Sequence, residues 1–159
     1  NGEFNDQEMN ELYNHPKVKA MISLTKGEGY GRPLLEFSLT GKPIIASGWS
    51  GHLDFLKPDF STLLSGELEN VHPSAANNWL VKEAQWFKPS VSDVNQNLKS
   101  CYKKYKHYTI KSKKQKNFSK SNFSYNKMEE LVGETLEKYV PNFATQVNFN
   151  LPKLELPTL

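Results

Sequence analysis

Residues 25–47 read TKGEGYGRPLLEFSLTGKPIIAS, and the fold turns on how they are parsed. Gly27, Gly29 and Gly31 alternate with Glu28 and Tyr30, a composition suited to a tight turn. From Arg32 to Thr40, Leu34, Leu35, Phe37 and Leu39 form an apolar run. Pro33 stands near its start and Gly41 after its end, the punctuation of a short helix. Residues 42–47, KPIIAS, are a short apolar strand, and residues 18–24, VKAMISL, are another, bounded by Pro16 and Gly27. Strand, glycine turn, helix and strand within about thirty residues make a βαβ unit.

Outward from that unit, residues 8–15 form a short amphipathic helix with Met9, Leu12 and Tyr13 on one side. A short helix starts near Ser50 and includes Leu53 and Phe55, and residues 61–65 are a third strand. Residues 66–78, with Gly66, Pro73 and three asparagines, read as loop, and residues 79–86 as a helix or a strand. Val94, Leu98, Cys101, Tyr105 and Tyr108 recur at helical spacing. Met128, Leu131, Val132, Leu136 and Tyr139 do so again, with Ser124 or Asn126 as the cap. The expected architecture is α/β: a Rossmann-like parallel sheet with flanking helices over residues 1–140. An extended tail, residues 141–159, alternates apolar residues with prolines.

A chain of 159 residues can bury roughly 70% of its unfolded surface. It contains no apolar run of about 18 residues and opens on no apolar signal region, which implies a soluble, cytoplasmic protein. It begins with Asn1 rather than methionine, as a fragment or a processed product would. The one cysteine, Cys101, excludes an internal disulfide and falls on an apolar helical stripe, where a thiol is core. The net charge of +3 conceals an asymmetry. Between Asp93 and Glu129 there are ten lysines and no acid, and Arg32 is the only arginine.

The chemistry concentrates in residues 27–36. In open parallel sheets, ligands bind where strands end and helices begin, and glycines let the backbone approach them closely. Arg32 adds a cation with fork geometry suited to phosphate oxygens. Glu36, one turn into the helix, can lean back toward the turn and accept hydrogen bonds from a ribose diol. Glu28, in the turn, would face a sugar attached to the far phosphate. A nucleotide diphosphate sugar accommodates all of these. Each feature also has a plainer explanation: a glutamate at a helix start can be a dipole-matched surface charge, and Gly-x-Gly alone is common.

EGYGRPLLE, followed by FSLTGKPIIAS and SGHLDFL, resembles the glutamate-x7-glutamate signature of retaining glycosyltransferases of the GT-B fold, group 1 (family 4). The resemblance covers residues 12–55 closely and the helices to Tyr139 more loosely. It implies the C-terminal, donor-binding half of such an enzyme, partial as it stands, transferring a sugar from a nucleotide-diphosphate donor with retention. On that pattern Glu28 is catalytic, contacting the donor sugar. Gly29, Tyr30 and Gly31 present amides to sugar and phosphate, Glu36 holds the ribose, and the loop with Ser50 and Gly51 lies close to the donor. Arg32 stands where many relatives carry an apolar residue and could replace cations that lie upstream in the family. His52 also departs from the pattern and is expected to be structural. The resemblance implies no cofactor and no metal, an N-terminal acceptor domain as missing partner, and poor turnover by this chain alone.

Two other classes compete: a non-catalytic nucleotide- or glycan-binding module, and a basic domain for nucleic acid or an anionic surface. Aromatics interleave the lysines from Lys99 to Lys127, the pattern of single-strand binding. Tyr105 and Tyr108 share the core stripe with Leu98 and Cys101, however, which disfavours nucleic acid. Lysine runs on terminal helices are usually a solvated face, and an anionic membrane surface is favoured over nucleic acid as their partner. His15, His52, His72 and His107 are scattered without metal-ligand spacing.

Overall fold

The computed structural model describes residues 2–77 and 80–141. Strands β1 (Met21–Ser23), β2 (Ile44–Ser47) and β3 (Thr62–Leu64) form a parallel sheet in that order, with Met21 opposite Ile44 and Ile45 opposite Thr62. Helix α1 (Asp6–Asn14) precedes the sheet. Its N-cap Asn5 accepts from the Glu8 amide while the Glu8 carboxylate accepts from the Asn5 amide. Helix α2 (Arg32–Ser38) connects β1 to β2, completing the expected βαβ unit, and the class is α/β.

Both strands are shorter than the apolar runs that encode them. Pro43 has no N–H to give a ladder, so pairing starts where Met21 N donates to Pro43 O, and residues 18–20 remain outside the sheet. β2 is central and wholly buried, and its alternation serves both faces. Ile44 and Ala46 pack with Leu34 and Phe37 of α2 and with Phe55 and Leu56. Ile45 packs on the other face with Leu64 and Cys101, against Val94, Leu98, Tyr105 and Tyr108. Burial of each such Leu, Ile or Phe contributes about 1.5–3 kcal/mol. Cys101 is the core thiol expected, and its burial pushes the thiol pKa up.

Residues 66–78 are not the loop that their glycine, proline and asparagines suggest. Strand β4 (Gly66–Asn70) pairs antiparallel with β5 (Gln85–Pro89), and a 3-10 turn follows at Pro73–Ala75. GELEN is a mostly exposed strand with glutamates at alternate positions and no apolar signature, held by cross-strand pairing, with Lys88 reaching Glu69. The residues 79–86 left open between helix and strand give a turn and the start of β5; Trp79 lies outside the described residues.

The stripe from Val94 to Tyr108 belongs to two helices. α3 (Val91–Lys103), capped by Ser90, and α4 (Tyr105–Asn122) meet at Lys104, whose φ of −114° and ψ of 33° break the helix. Neither proline nor glycine marks the break. The bend lets α3 and the start of α4 share one apolar cluster, while the rest of α4 crosses α2. There α4 buries polar residues: Ser112, Gln115 and Ser119 are each no more than 4% exposed. The Gln115 amide donates to Phe55 O (2.6 Å) and Ser119 Oγ (3.0 Å), its oxygen accepts from Lys57 N and Ser61 Oγ, and Ser38 Oγ of α2 donates to Ser119 Oγ. Helix α5 (Tyr125–Tyr139) is capped by Ser124, which accepts from Lys127 N, and its Leu131, Val132 and Leu136 are exposed. Apart from Pro141, the tail lies outside the described residues. No helix among the described residues is long and apolar enough to cross a membrane.

Candidate functional site

β1, β2 and β3 all end on the same edge of the sheet, and the segments that follow them converge there. Two of these segments are laced together. Ser50 Oγ accepts from Glu28 N (2.9 Å) and donates to Glu28 O (2.7 Å), and Gly51 N donates to the same carbonyl (3.0 Å). The contact is too close for side chains. A Cβ on Gly51 would come within 2.1 Å of Gly29 O, and one on Gly27 would press the Trp49 ring at 3.2 Å. Trp49 in turn stacks on Phe87 of β5, with planes 6° apart.

Ser50 pays for this closeness in backbone strain. Its φ of 95° and ψ of −170° put it in a region that glycine alone visits readily, at a cost of about 1–3 kcal/mol. Gly31, with φ 85° and ψ 46°, uses the left-handed freedom of glycine, and a Cβ there would also meet His52 Cβ at 3.1 Å. His52 is completely buried below the turn, with Nε2 2.6 Å from Ser47 O, the structural place expected for it. Its Nδ1 has no hydrogen-bond partner among the described residues.

The turn leaves backbone donors unused. Among the described residues, the N–H groups of Gly29, Tyr30 and Gly31 have no acceptor, whereas Gly31 O accepts from Leu34 N and Leu35 N to start α2. Tyr30 packs its ring on Phe55 and stays one-third exposed; burial and the nearby Asp54 raise its phenol pKa.

Arg32 and Glu36 form a pair one helical turn apart, with Arg32 Nε donating to Glu36 Oε1 at 2.6 Å. That hydrogen bond and the Glu36 charge, with Asp6 behind them, raise the guanidinium pKa further. Glu36 does lean back toward the start of α2, but it does so to reach Arg32. Both residues line a cleft of about 410 Å³ between α1 and α2, with Asp6, Met9, Asn10 and Tyr13. Burial, and then Glu36, raise the Tyr13 phenol pKa.

The expected site residues therefore fall into two groups. Glu28, Gly29, Tyr30, Gly31, Ser50 and Gly51 surround the laced turn, and Arg32 and Glu36 face α1, joined to the turn through the Gly31 backbone. The sequence places Tyr13 on the apolar side of α1 but gives no sign that it and Asp6 share a cleft with Glu36, because nothing in α1 signals where it packs. Among the described residues, no group of three or more His, Cys, Asp or Glu side chains is placed to hold a metal ion. No protein-family model matches the chain, and no curated protein sequence does either.

Proposed function

We propose that this chain is the donor-binding part of a retaining glycosyltransferase, taking a nucleotide-diphosphate sugar at the edge where the parallel strands end. The observation that carries the proposal is the laced turn: Glu28 held at its backbone by Ser50 and Gly51, beside three successive amides without acceptors among the described residues. Adjacent unpaired N–H groups in a glycine turn are a concave anion site, and strain of the Ser50 kind collects where ligands are bound.

In this reading the Gly29, Tyr30 and Gly31 amides take oxygens of the diphosphate and sugar. Arg32 fixes one oxygen of Glu36 and leaves the other to accept from the ribose. The bond from the anomeric carbon to the departing phosphate oxygen breaks while one to the acceptor oxygen forms, and the acceptor proton leaves with the diphosphate. Donors preorganised at the leaving phosphate supply the main stabilisation, and the Glu28 carboxylate faces the positive charge developing on the sugar. The acceptor site belongs to a further domain.

Saturation-transfer NMR with UDP-, GDP- and ADP-glucose tests the proposal. Transfer to the ribose and sugar protons of one donor, with the ribose signal lost in Glu36→Gln and the sugar signal lost in Glu28→Gln, supports it. A folded chain that receives no transfer from any of the three donors refutes it.

A further inference from the structure

The opposite edge of the sheet, where β3 begins, holds a groove of about 590 Å³. Thr62 of β3 lines one wall, and the residues around the α3–α4 break line the other: Ser100, Lys104, His107, Tyr108 and Lys111. Positions 104, 107, 108 and 111 share one face of a helix by spacing, so the break at Lys104 aims the preceding turn of α3 into the same groove.

The charge in this groove is unmatched. No carboxylate lines it, and neither Lys104 nor Lys111 is in an ion pair among the described residues. Two acids flank the lining residues. Asp93 is already occupied, accepting from Ser65 N, Ser65 Oγ and Asn97 Nδ2. Asp59, which follows the lining Pro58, is exposed and in no ion pair among the described residues. Thr62 and Tyr108 carry hydroxyl donors, and Ser100 a third, none of which donates to another described group. Lys104 and Lys111 are about 10 Å apart along the helix, so an anion midway is within reach of both flexible stems.

We propose that this groove binds a phosphomonoester, its phosphate held between Lys104 and Lys111 with hydroxyl donors from Ser100, Thr62 and Tyr108. Two lysines and three hydroxyl-bearing residues lining the two walls of one groove suit a dianion with three terminal oxygens better than the two oxygens of a carboxylate. The space beyond the phosphate accommodates the group that it esterifies. This site is independent of the sugar-nucleotide proposal, since it lies at the other end of the strands and shares no residue with the laced turn. The phosphate can come from a soluble ester or from a lipid headgroup.

The test uses the whole chain at low ionic strength, where exposed charges are least screened. Glycerol 3-phosphate is titrated by calorimetry, and vesicles of phosphatidylcholine with or without phosphatidic acid are used for co-sedimentation. Lys104→Gln/Lys111→Gln should weaken binding about tenfold or more, the loss of charge-assisted hydrogen bonds. Lys106→Gln/Lys120→Gln, equal in charge but on the other face of α4, should weaken it less than about twofold. Ser100→Asp, which puts a carboxylate in the groove, should abolish binding and serves if the first pair fails to fold. Binding of glycerol 3-phosphate in this order of variants identifies a soluble ester, and binding only to phosphatidic acid vesicles in the same order identifies a headgroup. Equal losses in the two lysine pairs reduce the groove to diffuse surface charge and overturn the proposal. So does the absence of binding to both probes.

Discussion

Replacing Gln115 asks whether α4 is held on the domain by hydrogen bonds or by packing. Its carboxamide is 1% exposed and makes four hydrogen bonds across two segments of the chain. Two of the partners are hydroxyls, which can turn: Ser119 still meets Ser38. The other two, Phe55 O and Lys57 N, are fixed main-chain groups. Leaving each without a partner costs about 1–3 kcal/mol. Gln115→Met keeps the length of the side chain and removes only the polar atoms, so it should cost about 2–6 kcal/mol. Small domains are stable by about 5–15 kcal/mol, so such a loss is large. Gln115→Ala adds a cavity and should cost about 1 kcal/mol more. Urea unfolding followed by far-UV circular dichroism measures both, with unchanged slopes showing that the transitions are comparable. A Met variant within about 0.5 kcal/mol of the parent refutes the reasoning and leaves packing as what holds α4.

Ser50→Gly and Ser50→Ala both remove the hydroxyl bonds to Glu28, but only glycine relaxes the backbone; Ser50→Gly should be the more stable by about 1–3 kcal/mol in urea unfolding. Gly51→Ala drives a Cβ into the Gly29 carbonyl and should cost about 2 kcal/mol or more, with amide shifts in residues 27–31 by NMR. Cys101, Tyr13 and Tyr30 have folded pKa values raised mainly by burial, so the folded state keeps their protons longer than the unfolded one. Their contribution is complete below the unfolded values and is lost as pH rises, from about 9 for the thiol and about 10 for the phenols. Lys42, lowered by burial, has the opposite sign. Thermal unfolding should show a net fall in stability above pH 9, smaller in Cys101→Ala relative to its own neutral-pH stability.

The β1–α2–β2 unit was legible because Pro33, Gly41 and the switch from helical to continuous apolar patterning all point one way. β4 was not legible, because an exposed strand of glutamates has no apolar signature and exists through its partner β5. The polar stripe of α4 was present as Tyr108, Ser112, Gln115 and Ser119 at helical spacing. Surrounding lysines mask it in the sequence, and only the crossing over α2 explains why small polar groups fit there. The turn residues of the candidate site were readable individually. That Arg32 would take Glu36 as its counter-ion follows from their i, i+4 spacing alone, whereas the presence of α1 beside the pair depends on where a helix encoded some twenty residues earlier packs.

The double hydrogen bond between Ser50 and Glu28 also has a kinetic consequence. The amides of Glu28 and Gly51 are held by partners in each other's loop, so separation of the two loops frees both at once. Their hydrogen exchange should report a single opening event, with matched protection that collapses together in Ser50→Ala. Two segments more than twenty residues apart thus behave as one cooperative unit, and anything that grips the glycine turn is felt at the end of β2.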